Sequence, residues 1–171
     1  MFKKYCILLA GFLFLALYTV AQSSFSSPLI GVGVVVSDLD RSLDFYTNGI
    51  GMVHTSGFTV EGEQAKILGL TKGVPLVVSV LKLEDSEDAN EWKLMSFDKK
   101  PRKTKKKFIN ENVGMQYITI NVKSLKPFID RLEQRGVKFL GDTPAPLDNN
   151  RFFLMVQDPD GVFIELIGPM E

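Results

Sequence analysis

The sequence predicts an α+β fold of two βαβββ modules, with eight strands curled as a mixed sheet around a cleft and the helices outside. Three observations predict it. A β-branched run, a capping residue and apolar positions at helical spacing occur in that order twice, 86 residues apart. Each occurrence is followed by strand-like stretches bounded by turn residues. The chain has 171 residues and is 45% hydrophobic, enough for one well-buried domain.

The N-terminus stands apart from that plan. "MFKK" precedes 17 uncharged residues, "YCILLAGFLFLALYTVA", and then polar "QSSFSS". A basic start, an apolar middle and the small residues Thr19 and Ala21 at the −3 and −1 positions predict a signal peptide over residues 1–21. The alternative is an uncleaved anchor over residues 5–21, since that length reaches the lower limit for spanning a bilayer. On either reading the domain is exported, periplasmic or secreted. Residues 22–28 form a short leader, and residues 29–168 form the domain.

Cleavage also changes the inventory. The whole chain has 20 basic and 20 acidic residues, and loss of Lys3 and Lys4 leaves 18 against 20. That balance argues for neither nucleic acid nor a strongly acidic partner. Cys6, the only cysteine, is lost as well, so the mature chain has no thiol for catalysis, metal binding or a disulfide. His54 is the only histidine. Multi-histidine zinc sites are therefore excluded, and Ser-His-Asp hydrolysis has a single histidine to draw on.

The first module spans about 29–98. "IGVGVVVSDLDRSLDFYTNGIGM" (30–52) is a strand, an N-cap at Asp38, and a helix with Leu39, Leu43, Tyr46 and Ile50 on its apolar side. Strands follow at about 52–60, 75–83 and 92–97, with a short helix at 63–70. Residues 99–112 form a linker with seven basic residues among positions 99–107. It reads as a solvated connection or, more sharply, as an electropositive rim for an anionic substrate or lipid headgroup.

The second module spans about 113–168. "QYITINVKSLKPFIDRLEQRGV" (116–137) repeats the opening, with Ser124 as N-cap, Pro127 in the first helical turn and Gly136 at the end. Strands follow at about 137–140, 151–157 and 162–167. The last two flank Asp158-Pro159-Asp160-Gly161, which suits a type I turn. Beyond it, Val162, Ile164 and Leu166 share one strand face, while Phe163, Glu165 and Ile167 share the other. Glu165 thus sits between two apolar neighbours, where an unpartnered carboxylate is costly.

"VVVSDLDRSLDFYTNGIGM", the repeat at 116–137 and the closing "DPDGVFIELIG" together resemble the glyoxalase / bleomycin-resistance / extradiol-dioxygenase group, the vicinal oxygen chelate (VOC) superfamily. The resemblance covers about residues 29–168. It specifies the fold rather than the activity, because the group includes lyases, epimerases, dioxygenases, thiol transferases and non-catalytic drug-binding proteins. Metal-dependent members take ligands from the first and last strands of each half. Those places fall on Gly31, Lys93, Tyr117 and Glu165, so Glu165 is the only family ligand retained. The resemblance combined with these residues implies no resident metal. A divalent ion would need substitutes such as Asn121, Glu61, Glu63 or Glu91, none at a family position.

Strand alternation puts Gly31, Gly33 and Val35 on the cleft floor in the first module. Tyr117, Thr119, Asn121, Phe163, Glu165 and Ile167 take that place in the second. Glycines that leave space, with a few convergent polar groups, describe a small-molecule site. Glu165 has three readings: paired with Lys93, hydrogen-bonded by Tyr117, or raised by desolvation to act as an acid or base. The expectation is an exported, metal-independent protein that binds and sequesters a small molecule, as a homodimer of the kind the resemblance implies. The alternative is a glyoxalase-like lyase, isomerase or dioxygenase-type enzyme with a noncanonical metal or acid–base site at Glu165. Membrane contact is expected only through an uncleaved N-terminus or the basic linker.

Overall fold

The computed structural model describes residues 24–101 and 106–171. The signal peptide or anchor at 1–21 and linker residues 102–105 lie outside the described residues. No helix among the described residues is long and apolar enough to cross a membrane.

The first module runs β1 (Gly31–Val35), α1 (Leu39–Asp44), β2 (Val53–Val60), α2 (Gly62–Ile67), β3 (Leu76–Lys82) and β4 (Glu91–Ser96). Asp38 caps α1 as its sequence position requires, its carboxylate accepting the Arg41 N–H at 3.1 Å. The helix then widens into a π-helical segment, Phe45–Ile50, which Gly51 ends in the left-handed region at φ 94°. The second module runs β5 (Tyr117–Asn121), α3 (Lys126–Gln134), β6 (Ala145–Pro146), β7 (Phe152–Gln157) and β8 (Phe163–Gly168).

The eight strands form two four-stranded mixed sheets, ordered β1-β4-β3-β2 and β5-β8-β7-β6. In each, the first strand pairs in parallel with the last, and the other pairings are antiparallel. The second module departs from the sequence reading after its helix and at that helix's N-cap. The strand expected at 137–140 does not form: Leu140 N–H donates once to Met155 O at 2.8 Å, and Gly141 at φ 61° then turns the chain. Pairing with β7 resumes only at Ala145–Pro146, kept short because Pro144 and Pro146 have no N–H to give. Ser124 is not the N-cap of α3. Leu125 holds that place, while the Ser124 hydroxyl still accepts the Lys126 N–H at 3.3 Å.

One core joins the modules. Val34, Trp92, Leu94 and Leu81 from the first sheet meet Ile120, Ile164, Leu166, Leu154 and Val156 from the second, with Tyr46, Ile50, Leu125 and Leu132 from the helical layer. The period-2 alternation therefore commits one face of each sheet to the helices and leaves the other for the cleft. On the first sheet, part of that second face is covered by α2. Its Ala65 packs with Leu76, Val78 and Val80 in a smaller cluster joined by Met95 and Phe97.

The Asp158–Gly161 turn is where the modules lock. Gly161 N–H donates to Asp158 O at 3.1 Å, and Gly161 takes φ 93°. Asp158 Oδ1 accepts the N–H groups of Asp160 and Val162, both at 2.8 Å, and its Oδ2 accepts the buried Tyr46 hydroxyl at 2.9 Å. Asp160 accepts both the N–H and the hydroxyl of Ser37, and Arg41 donates to Pro159 O at 2.7 Å. From the other side, Arg131 on α3 donates to Gly49 O at 3.0 Å and Ile50 O at 3.1 Å, satisfying carbonyls at the end of the π-helical segment. Burial pushes the Asp158 carboxyl up, outweighing its three hydrogen bonds. Burial, then the Asp158 charge, pushes the Tyr46 phenol well up.

Candidate functional site

The parallel registers fix which residues share the open faces. On β1 and β4, Gly31 pairs with Glu91 and Gly33 with Lys93. On β5 and β8, Tyr117 pairs with Phe163 and Thr119 with Glu165. Gly33 and Thr119 are 86 residues apart, the offset of the sequence repeat, so Lys93 occupies in the first module the place Glu165 occupies in the second. Gly31, Gly33 and Val35 are exposed on the face away from the core, as are Tyr117, Thr119 and Asn121. Phe163 shares the Glu165 face but is buried, 2% exposed.

Glu165 accepts a hydrogen bond from the Thr119 hydroxyl at 2.5 Å. Its partner is therefore its cross-strand neighbour, fixed by register, rather than Lys93 or Tyr117. The Lys93 ammonium is paired with Glu91 at 2.7 Å, two residues away on the same face of β4. That pairing lowers the Glu91 carboxyl, through its hydrogen bond from Lys93 first. The ammonium also stands over Gly31, where an added Cβ would meet Lys93 Nζ at 3.3 Å and Glu91 Oε2 at 3.6 Å. The space left by that glycine is taken by the ion pair.

This donor set does not fit a divalent ion. The four places hold no side chain at Gly31, an ammonium at Lys93, a phenol at Tyr117 and one carboxylate at Glu165. A positive charge stands where a cation would need a ligand, and one carboxylate is too few oxygen donors. Among the described residues no three His, Cys, Asp or Glu side chains come together in a group that could hold a metal, and Glu61 and Glu63 are exposed at the start of α2. His54 is exposed on the edge strand β2, away from all four places.

The edges of β1 and β5 border a pocket of about 270 Å³. Val32 to Val35 and Trp92 line it from the first module, and Met115, Gln116, Tyr117 and Val162 from the second. Lys106 and Asp160 add opposite charges to this lining. Gly33 and Tyr117 both line this pocket. Asn121 does not join them; it lines a separate groove with Leu83 and Phe128 beside α3. Nothing in the basic linker's residues singles out Lys106. The residue is drawn in because Gln157 Nε2 donates to its carbonyl at 3.0 Å, and its ammonium bonds Gln116 Oε1 at 3.5 Å.

A family model described as Glyoxalase/Bleomycin resistance protein/Dioxygenase superfamily matches residues 29–166. No curated protein matches the chain in sequence. Solved structures match in fold. A glyoxalase family protein from Bacillus cereus is 19% identical with a TM-score of 0.72, the match covering 88% of this chain and 99% of that one. A trypanothione-dependent glyoxalase I from Leishmania major is 21% identical with a TM-score of 0.60, covering 84% and 87%. An antibiotic binding protein from Streptomyces sp. CB03234 is 19% identical with a TM-score of 0.54, covering 86% and 99%.

Proposed function

The chain belongs to the Glyoxalase/Bleomycin resistance protein/Dioxygenase superfamily, and within it we propose an exported protein that binds a small molecule without a metal, in the pocket between β1 and β5. The Lys93–Glu91 ion pair over Gly31 carries this reading, because it fills with a protein cation the place where metal-dependent relatives put ligands. The fold alone does not decide, since it serves both glyoxalases and an antibiotic binding protein. The pocket supports a ligand with an apolar or aromatic body lying against Val35, Met115 and Tyr117. An acidic group on that ligand would reach the Lys106 ammonium. Export rests on the basic, apolar and small-residue order of residues 1–21.

Thermal shift on residues 22–171 tests the proposal, using a panel of aromatic and apolar acids against Zn²⁺, Ni²⁺, Mn²⁺ and Fe²⁺. A ligand at about a hundred times its Kd stabilises by about 2.7 kcal/mol. That raises the Tm by about 5–11 °C in a domain of this size. Tyr117→Ala should abolish the shift. Stabilisation by a stoichiometric metal, lost in Glu165→Ala, with no response to any organic compound, would sink the reading.

The second reading is acid–base chemistry at Glu165, favoured by the Thr119 hydroxyl that orients its carboxylate. Turnover that vanishes in Glu165→Gln while ligand binding persists would establish it.

A further inference from the structure

The basic linker is tied to the folded domain by one amide. Gln157, the last residue of β7, donates from Nε2 to the Lys106 carbonyl at 3.0 Å and to the Gly161 carbonyl at 3.3 Å. Among the described residues, the first of these is the only hydrogen bond on the Lys106 main chain. A single side chain therefore joins the linker to the Asp158–Gly161 turn, across 51 residues of sequence.

Both of the joined residues are walls. Lys106, Asp160 and Gly161 line the pocket between β1 and β5, and they also line a second cavity of about 540 Å³ that includes Lys107, Leu140 and Gln157. Gln157 does not line the first pocket. It acts on that pocket only through the two carbonyls it holds.

The charge of the wall comes from Lys106. Its ammonium bonds Gln116 Oε1 at 3.5 Å, the outer limit of a hydrogen bond. No carboxylate among the described residues lies within ion-pair distance of it. Asp160, the acid of the same lining, accepts the N–H and the hydroxyl of Ser37. The Lys106 ammonium thus keeps donors for an anion in the pocket. A lysine stem is flexible, so the place of its charge is set first by where its main chain is anchored. Downstream the linker braces itself: Lys107 N–H donates to Glu111 Oε2 at 2.6 Å, and Gln116 Nε2 donates to Asn112 O at 2.7 Å and to Gly114 O at 3.0 Å. The link from this braced segment to the second sheet is Gln157.

We propose that Gln157 is a positioning residue that gives the pocket between β1 and β5 its preference for a ligand with an aromatic body and a carboxylate or sulfonate, by holding Lys106 at the pocket wall. The inference rests on the small-molecule reading of that pocket. Two fluorescent probes with one aromatic body test it, anionic 8-anilinonaphthalene-1-sulfonate and neutral N-phenyl-1-naphthylamine. Each is titrated against residues 22–171, which contain every described element, at low and at high salt. The natural chain should prefer the sulfonate, and the preference should shrink at high salt. Lys106→Gln should remove the preference. Gln157→Met, of similar shape but without N–H donors, should weaken sulfonate binding about fivefold, the equivalent of about 1 kcal/mol, and leave the neutral probe unchanged. Gln157→Asn, which keeps the amide one methylene short of both carbonyls, should do the same and serves if the Met variant does not fold. A merely structural Gln157 would weaken both probes alike. That result, no sulfonate preference in the natural chain, or a preference lost in Lys106→Gln but kept in both Gln157 variants would overturn the inference and leave the pocket reading standing. No binding of either probe, or binding that Tyr117→Ala leaves unchanged, would sink the pocket reading and the inference with it.

Discussion

Replacing Tyr46 by Phe removes one oxygen from the junction of the two modules and leaves every carbon in place. The Tyr46 side chain is wholly buried, and its hydroxyl donates to Asp158 Oδ2 at 2.9 Å. The carboxylate keeps its two backbone donors, but both serve Oδ1, so Oδ2 would be left without a partner in a site only 5% exposed. A hydrogen bond to a charged group contributes about 1.5–3 kcal/mol, and loss from one partner only puts the cost in the upper half, about 2–3 kcal/mol. At about 2–4 °C per kcal/mol for a chain of this size, the Tm should fall by about 4–12 °C. Urea denaturation of residues 22–171 at pH 7 measures the free energy, with the slope m expected to stay constant. A double-mutant cycle with Asp158→Asn should show a coupling of about 1 kcal/mol or more. A loss below about 0.5 kcal/mol, or additive single effects, would refute the lock described here.

Two further predictions concern the same junction and the end of β8. In the folded chain burial holds the Asp158 carboxyl above its ordinary value, so on raising pH the unfolded chain releases this proton first. Between the unfolded value of about 3.9 and the raised folded one the native state binds more protons, so this group's contribution falls as pH rises and then levels off. Asp158→Asn lacks the slope: the stability of the natural chain relative to the variant should be greatest near pH 4 and smaller at pH 7.5, and urea titrations showing a constant difference would contradict this. Gly168→Ala should destabilise by about 2 kcal/mol or more in the same titration, because the new Cβ would overlap the Val122 carbonyl, and Val122 is held beside β8 by its own N–H, which donates to Ile167 O at 2.8 Å.

The parts legible in the sequence are those whose signal is local. β1, α1, β5 and α3 follow from periodicity and caps, and the apolar faces of β1, β5 and β8 fall on the core as alternation requires. The strand expected at 137–140 failed because its apolar residues were visible while the turn at Gly141 and the two prolines decided the pairing. The Asp158–Gly161 turn was legible as a turn. Its second use was not, because Tyr46 and Ser37 reach it from 112 and 123 residues away. Alternation puts Thr119 on the floor beside Glu165, yet only the parallel register makes it the hydrogen-bond partner. The resemblance points to Lys93, and its ion pair with Glu91 depends on two side chains of one face whose attraction alternation alone does not rank.

The matched registers have a consequence for how this chain stands among its relatives. Gly33–Lys93 and Thr119–Glu165 hold equivalent places in two sheets with the same strand order. Three side chains, at Gly31, Lys93 and Tyr117, separate the chain from the ligand set its resemblance implies. A change from that ligand set to this one would then take three substitutions and move no strand. Histidine at 31 and 117 with glutamate at 93 would retrace it, and the first step to lift is Lys93, whose ammonium stands over Gly31.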